Sequence, residues 1–209
     1  MPTLSIVIPQ FIVLILSLSF HEAAHAWTAN RLGDPTARLL GRLTLNPLAH
    51  IDWIGTVAFP LIAMLSGVPL IGWAKPVPVD MRQLREPRRD FAIVAVAGPV
   101  SNLILASIAA ILLRVLSPLI PESAGWASEL LNFLFQIVRL NTLLAVFNMI
   151  PVPPLDGGNV LMGVVPERVA VTIAWLRPYG FLIIYVLMFS GTLSRIIFPL
   201  ADSLVRWLL

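Results

Sequence analysis

The sequence contains no cysteine and few charged residues. Of its 209 residues, 12% are charged and 58% are hydrophobic, whereas an average soluble domain carries about 25% charged residues. The lack of cysteine excludes disulfides, thiolate metal ligands and a cysteine nucleophile. The low proportion of charged residues indicates that lipid is the main solvent of this protein. The net charge of +3 is small and its arginines are dispersed, which argues against nucleic acid as a partner.

Four apolar segments are long enough to cross a bilayer as helices, which takes about 20 residues. They cover residues 4–28, 91–116, 129–150 and 169–190. The first resembles a signal peptide with a cleavage site at Ala24-His25-Ala26, but no lysine or arginine precedes it and its hydrophobicity continues through Trp27. We therefore predict a span there. The last segment is predicted to kink at Pro178.

A fifth apolar segment, residues 54–73, is broken by prolines and glycines. Its two flanks together hold eight of the 14 basic residues: Arg31, Arg38, Arg42, Lys75, Arg82, Arg85, Arg88 and Arg89. The positive-inside rule places both flanks in the cytoplasm, which predicts a re-entrant element. A true span with a basic outer loop is the alternative. Residues 192–209 place Arg195, Asp202 and Arg206 on one face, which favours an interfacial helix.

The chemistry of the chain centres on His21-Glu22-Ala23-Ala24-His25 near the end of the first segment. Residues four apart on a helix differ by about 40°, so both imidazoles project from one face and can bind one zinc ion. Glu22 lies on the flank of that face, where it can act as a general base on a water molecule. The alternative is that neighbouring helices satisfy these side chains without a metal. Because ionisable groups are costly in lipid, we favour zinc.

A catalytic zinc needs a third protein ligand. Asp156 follows an apolar helix and a proline-rich connector, and precedes Gly157-Gly158, whose lack of side chains permits close backbone approach. His50, in a polar loop, is the other candidate. Asp156 also fits a turn or helix N-cap aspartate, and that alternative stays open on the residues alone.

Three sequence elements resemble the signatures of the site-2 protease family of intramembrane metalloproteases. They are His21 to His25, then Gly98-Pro99-Val100-Ser101-Asn102, and finally Asn148-Met149-Ile150-Pro151 leading to Leu155-Asp156-Gly157-Gly158. The phrases at residues 46–52 and 72–79 are similar to those of the compact bacterial and archaeal members, which lack a PDZ domain.

The resemblance implies zinc ligands at His21, His25 and Asp156, one zinc ion per chain, and a catalytic base at Glu22. It also implies a membrane-associated strand region near residues 72–79, which would pair with an extended substrate by β-addition.

Two asparagines would lie near this site and contact the substrate or the developing oxyanion. Asn148 is the first, with a helix-to-helix amide contact as its alternative. Asn102 is the second, although bracing of helices suits it better because Gly98 and Ser101 beside it permit close packing. His50 is expected to be a loop histidine that bonds to backbone.

We therefore expect an all-α integral membrane protein, a polytopic helical bundle with a re-entrant or β-like element near the active site. A single domain would cover residues 1–209, with a catalytic core at about 4–165 and C-terminal helices at about 166–209. The resemblance implies a zinc endopeptidase that cuts membrane-spanning protein substrates in regulated intramembrane proteolysis. It would lie in the lipid bilayer of a prokaryotic cell membrane with its active site toward the cytoplasm. A transporter or proton relay and an inactive membrane scaffold are the alternatives.

Overall fold

The computed structural model of the protein describes residues 4–67, 72–121 and 125–209. Its α-helices within these ranges are α1 (Leu4–Arg31), α2 (Thr36–Leu39), α3 (Phe59–Ser66), α4 (Pro87–Leu116), α5 (Ala127–Asn148), α6 (Asp156–Val164), α7 (Glu167–Ala174), α8 (Gly180–Phe189) and α9 (Thr192–Leu208). A π-helical turn, Trp53–Ala58, leads into α3, and short 3₁₀ turns cover Pro47–Ala49, Met81–Gln83 and Arg177–Tyr179. The described residues form no β-strand. The predicted all-α architecture is therefore confirmed.

Four helices in the described residues are long and apolar enough to cross a membrane, as the sequence predicts. They are Val7–Arg31, Pro87–Leu116, Ala127–Asn148 and Glu167–Phe189. The second begins earlier than its predicted start at residue 91, because Pro87 occupies the first helical turn and the Asp90 carboxylate accepts the Glu86 N–H (2.9 Å). The fourth contains the predicted kink: α7 ends at Ala174, and a 3₁₀ turn that contains Pro178 separates it from α8.

Helix α4 is the centre of the bundle and packs against α1, α5 and α6. Its buried face consists mainly of small residues, including Ala95, Gly98, Ala106 and Ala110, which let neighbouring backbones approach closely. The opposite face exposes large apolar side chains, namely Ile93, Val100, Ile104, Ile108 and Ile111. A face of this kind requires an apolar solvent, so the helix suits a bilayer.

The described ends of the apolar segment between α2 and α4 lie together. The π-helical turn and α3 together form one helix, Trp53–Ser66, of at most about 21 Å at 1.5 Å per residue, which is too short for a span of about 30 Å. The N–H of Trp73 donates to the carbonyl of Gly55 (3.0 Å), and the Thr56 hydroxyl donates to the carbonyl of Trp73 (2.8 Å). The two described ends of the segment are in hydrogen-bond contact, which favours the predicted re-entrant geometry over a span.

Residues 72–80 follow as an extended segment that forms no strand ladder with another described part of the chain. Loop groups hold it instead. The Lys75 N–H donates to the His50 carbonyl (2.9 Å), the Arg42 guanidinium donates to the Lys75 carbonyl (2.6 Å), and the Asp80 N–H donates to the Asp34 carboxylate (2.8 Å). The region expected to be β-like is thus an extended strap anchored at both ends.

The C-terminal helix α9 packs against α5. Its buried side chains, Leu193, Ile197 and Ala201, recur every four residues, while the side chains of Arg195, Asp202 and Arg206 are exposed. It is not among the helices long enough to span. This pattern is the amphipathic one on which the interfacial prediction rests.

Candidate metal centre

Two imidazoles of α1 face a gap that the neighbouring helix leaves for them. His21 and His25 are buried, with their ring centroids 4.6 Å apart. Gly98 of α4 lies opposite, and a Cβ atom built there would stand 2.5 Å from His21 Nε2 and from His25 Nε2. Only glycine therefore lets α4 pack this close while both Nε2 atoms stay accessible.

Asp156 joins these histidines from the start of α6. Its Oδ2 lies 3.0 Å from His21 Nε2, and its Oδ1 lies 3.4 Å from His25 Nε2. The following Gly157 and Gly158 press against the connector, where a Cβ would collide with the Met149 carbonyl and with the Pro153 nitrogen, respectively. The glycines thus allow the sharp approach that brings the carboxylate to the imidazoles. Asp156 is not an N-cap, because Leu155 occupies that position.

The three side chains together fit a metal ion. One ligand atom from each lies within 4.8 Å of the others. Both Nδ1 atoms are engaged elsewhere, His21 with Asn102 Oδ1 and His25 with the Val94 carbonyl, each at 2.7 Å. Because a carbonyl oxygen only accepts, each Nδ1 carries the proton, and a neutral imidazole then turns the Nε2 lone pair toward Asp156.

The Asp156 carboxylate, like the two Nε2 atoms, lacks a hydrogen-bond donor. Its buried Oδ2 has no hydrogen-bond partner in the described part of the chain. Lone pairs of two nitrogens and a carboxylate thus converge in a buried site. A bound cation would satisfy all of them. A carboxylate in its anionic form is the species that binds a metal ion.

Glu22 lies beside this cluster but is not part of it. Its Oε2 accepts the N–H of Val77 (2.8 Å), and its side chain lines the same cavity as the two histidines. A carboxylate next to a metal site that it does not itself complete has the position that a general base requires.

A cavity of about 620 Å³ opens onto the cluster. Its walls are mostly apolar and come from α1, the strap, α4, the end of α5, α6 and α8. Polar groups other than the cluster are few, and they include Asn148, Asn159 and Arg177. A mostly apolar cavity with few polar groups besides the cluster suits a largely apolar ligand.

Of the two predicted asparagines, one lines the cavity and the other does not. Asn148 lines the cavity, and its amide donates to the Leu144 carbonyl of its own helix (3.0 Å). Asn102 is 0% exposed and does not line the cavity. Its amide accepts from His21 and donates to Asn141 (2.9 Å). In the structure this side chain braces helices and supports a histidine, which is the alternative expected for Asn102. Its contact with substrate or oxyanion stays a prediction.

His50 behaves as expected of a loop histidine. It is buried, and its Nε2 bonds to the Thr44 carbonyl (2.8 Å). It does not join the metal cluster. The sequence analysis missed the Val94 carbonyl and the Val77 N–H, because backbone groups carry no residue-type signal.

The bundle and the cluster together define a class, the membrane proteins with two histidines and one carboxylate that can hold a metal ion and with an adjacent glutamate. Comparison with known proteins agrees. The sequence profile described as "Peptidase family M50" matches residues 9–122 and 116–188. The chain belongs to this family, the site-2 protease family.

Named relatives are bacterial. The chain is 39% identical over 193 residues to a Bacillus subtilis protein named "Putative zinc metalloprotease YwhC", covering 92% of this chain and 85% of that protein. It is 32% identical over 188 residues to "Putative zinc metalloprotease Rip2" of Mycolicibacterium smegmatis, covering 89% and 68%. The Rip2 of Mycobacterium tuberculosis strain H37Rv is 30% identical over 195 residues, covering 93% and 70%. No solved structure matches the chain. Family and relatives identify a metalloprotease.

Proposed function

We propose that this protein is an intramembrane zinc endopeptidase that hydrolyses peptide bonds of membrane-spanning protein substrates. The observation that carries the proposal is the convergence of His21, His25 and Asp156 beside Glu22, on a cavity among the bilayer-length helices. Two imidazole nitrogens and one carboxylate form a donor set typical of catalytic zinc, which keeps one position open for water or substrate.

His21, His25 and Asp156 would hold one zinc ion per chain. When bound, zinc polarises a scissile carbonyl and lowers the pKa of a water molecule. Glu22 would accept the proton of the attacking water and pass it to the leaving amine. Its carboxylate is held for this task by the Val77 N–H. Asn148, on the cavity wall, would donate a hydrogen bond to the substrate carbonyl once it releases the Leu144 carbonyl.

The cavity wall supports a membrane-spanning substrate. A transmembrane helix hides its peptide bonds, so the substrate must unwind before hydrolysis. The strap provides an extended backbone along the cavity, against which an unwound segment would lie by β-addition. The basic flanks of the re-entrant element support an opening at the cytoplasmic side of a prokaryotic cell membrane.

Two isosteric variants test whether Glu22 acts as the base and Asp156 as a zinc ligand. Glu22→Gln should keep zinc, since Glu22 is outside the cluster, and should lose about 10²- to 10⁴-fold in hydrolysis. Asp156→Asn should lose zinc itself, because it removes the anionic ligand. Hydrolysis is followed on a co-reconstituted single-span membrane protein, and zinc is measured on the same samples.

Glu129→Gln is the matched control, since Glu129 is exposed at the start of α5, and this variant should behave as wild type. Wild-type hydrolysis by Glu22→Gln would refute the proposed mechanism. A wild-type chain without zinc would refute the proposed cofactor.

A further inference from the structure

A chain of hydrogen bonds crosses three membrane helices and ends on His21. Asn141 of α5 donates through Nδ2 to the Ile137 carbonyl (2.9 Å) and accepts through Oδ1 from Asn102 Nδ2 of α4 (2.9 Å). Asn102 Oδ1 in turn bonds to His21 Nδ1 of α1 (2.7 Å). Asn141 is 1% exposed. Burial of an amide is costly unless its polar groups are hydrogen-bonded, and both groups of Asn141 are bonded here.

The bond between Asn141 and the Ile137 carbonyl determines which group donates and which accepts in every other bond of this chain. The Ile137 carbonyl only accepts, so the group of Asn141 that faces it must be the NH₂ group. The Oδ1 of Asn141 therefore faces Asn102 and requires a donor there. Once the NH₂ of Asn102 points to Asn141, its Oδ1 points to His21 and accepts a proton from Nδ1.

We propose that Asn141 is a positioning residue for metal binding, which fixes the tautomer of His21 through Asn102; the inference rests on the proposed zinc site. If the Asn102 amide turned over, its NH₂ would face His21 and the imidazole would carry its proton on Nε2. A protonated Nε2 cannot bind a metal. Asn141 thus keeps the ligand nitrogen of His21 open from a neighbouring helix, without touching metal or substrate.

The two histidines reach the same tautomer by different routes. His25 bonds directly to the Val94 carbonyl (2.7 Å), which cannot turn over. His21 depends on a side-chain amide, which can. The Ser17 carbonyl also accepts from Asn102 Nδ2, but at the longer distance of 3.4 Å, so Asn141 provides the stronger restraint.

The first experiment measures zinc affinity by competition with a chelator on the full-length protein in detergent. Asn141→Leu keeps side-chain volume and removes both bonds, so the affinity should fall about 10-fold or more, the range typical of a lost outer partner of a metal ligand. Thr142→Val is the matched control. Thr142 is the next residue of α5, is buried and bonds to the carbonyl four residues back (2.7 Å), but lies outside the chain to His21.

Repeating Asn141→Leu in a chain that already carries Asn102→Asp distinguishes an effect on the His21 tautomer from a general effect on packing. In Asn102→Asp both carboxylate oxygens accept, so His21 keeps its Nδ1 proton whatever stands at position 141. Adding Asn141→Leu there should change zinc affinity less than threefold, against about 10-fold in the wild-type background.

An equal loss in both backgrounds, an equal loss in Thr142→Val, or unchanged affinity in Asn141→Leu would each overturn the inference. Absence of zinc from the wild type would refute the zinc site itself and the inference with it. Thermal unfolding of each variant shows which changes in affinity accompany a folded chain.

Discussion

The backbone N–H of Val77 donates a 2.8 Å hydrogen bond to Oε2 of Glu22. Residues 76 and 78 are prolines, which have no N–H, so Val77 is the only backbone donor that this part of the strap can offer. The strap is anchored through Arg42 on one side and Asp34 on the other. It therefore holds the Val77 N–H against the proposed base.

Val77→Pro should reduce hydrolysis and leave zinc in place. The residue precedes Pro78 in an extended segment, so proline fits the backbone while removing the N–H. A hydrogen bond to a charged group contributes about 1.5 to 3 kcal/mol, so we expect a loss of roughly 10- to 100-fold in the rate at saturating substrate.

Val77→Ala is the control, because it shortens the same side chain on the cavity wall and keeps the N–H. Equal rates for the alanine and proline variants would contradict the role of this hydrogen bond. Zinc content is measured on both variants, since its loss would indicate damage to the metal cluster instead.

Gly98→Ala should abolish zinc binding with a single added methyl group. Its Cβ would lie 2.5 Å from atoms of both imidazoles, closer than real Cβ atoms stand to any neighbour. Either the rings move out of line with Asp156 or α4 shifts away from α1. Zinc per chain should fall from about one to near zero. Gly125→Ala is the control, because nothing lies within 4 Å of a Cβ at that position. Retention of wild-type zinc by Gly98→Ala would show that the ligand set is wrong.

Much of the fold and of the cluster could be predicted from the sequence. Four apolar stretches carry a strong signal because lipid demands uninterrupted hydrophobicity. His21, Glu22 and His25 are read from helical spacing, and Asp156 from its glycines and the family resemblance. These are side-chain signals, and the structure brings the three metal-binding candidates together as expected.

The supporting contacts could not be predicted, for two physical reasons. The Val94 carbonyl and the Val77 N–H belong to the backbone, which looks the same at every residue. Asn102 carries a visible polar signal, but its partner depends on how α4 is rotated against α1, and the sequence does not specify that rotation. Asn141 could have been noticed as a polar residue inside an apolar helix, although its connection to His21 needs the packing of three helices.

The flanks of the re-entrant element lie against each other, which predicts the topology of the chain. The N–H of Arg85 donates to the Leu32 carbonyl (3.3 Å), and the Gln83 amide donates to the Thr36 hydroxyl (3.0 Å). The sequence before α3 and the sequence after it must therefore be on the same side of the bilayer. Because both flanks are basic, that side should be the cytoplasm.

Single cysteines at three exposed positions test this arrangement, and the absence of native cysteine makes the labelling simple to interpret. Arg38→Cys and Arg85→Cys, one in each flank, should both react with an impermeant thiol reagent only from the cytoplasmic side. Leu119→Cys should react only from the opposite side, because it follows the 30 residues of α4, about 45 Å of helix. Labelling of Arg38→Cys and Arg85→Cys from opposite sides would mean that residues 54–73 cross the membrane. Labelling of both from the outer face would preserve the re-entrant element but invert the topology, and would place the metal centre toward the outside.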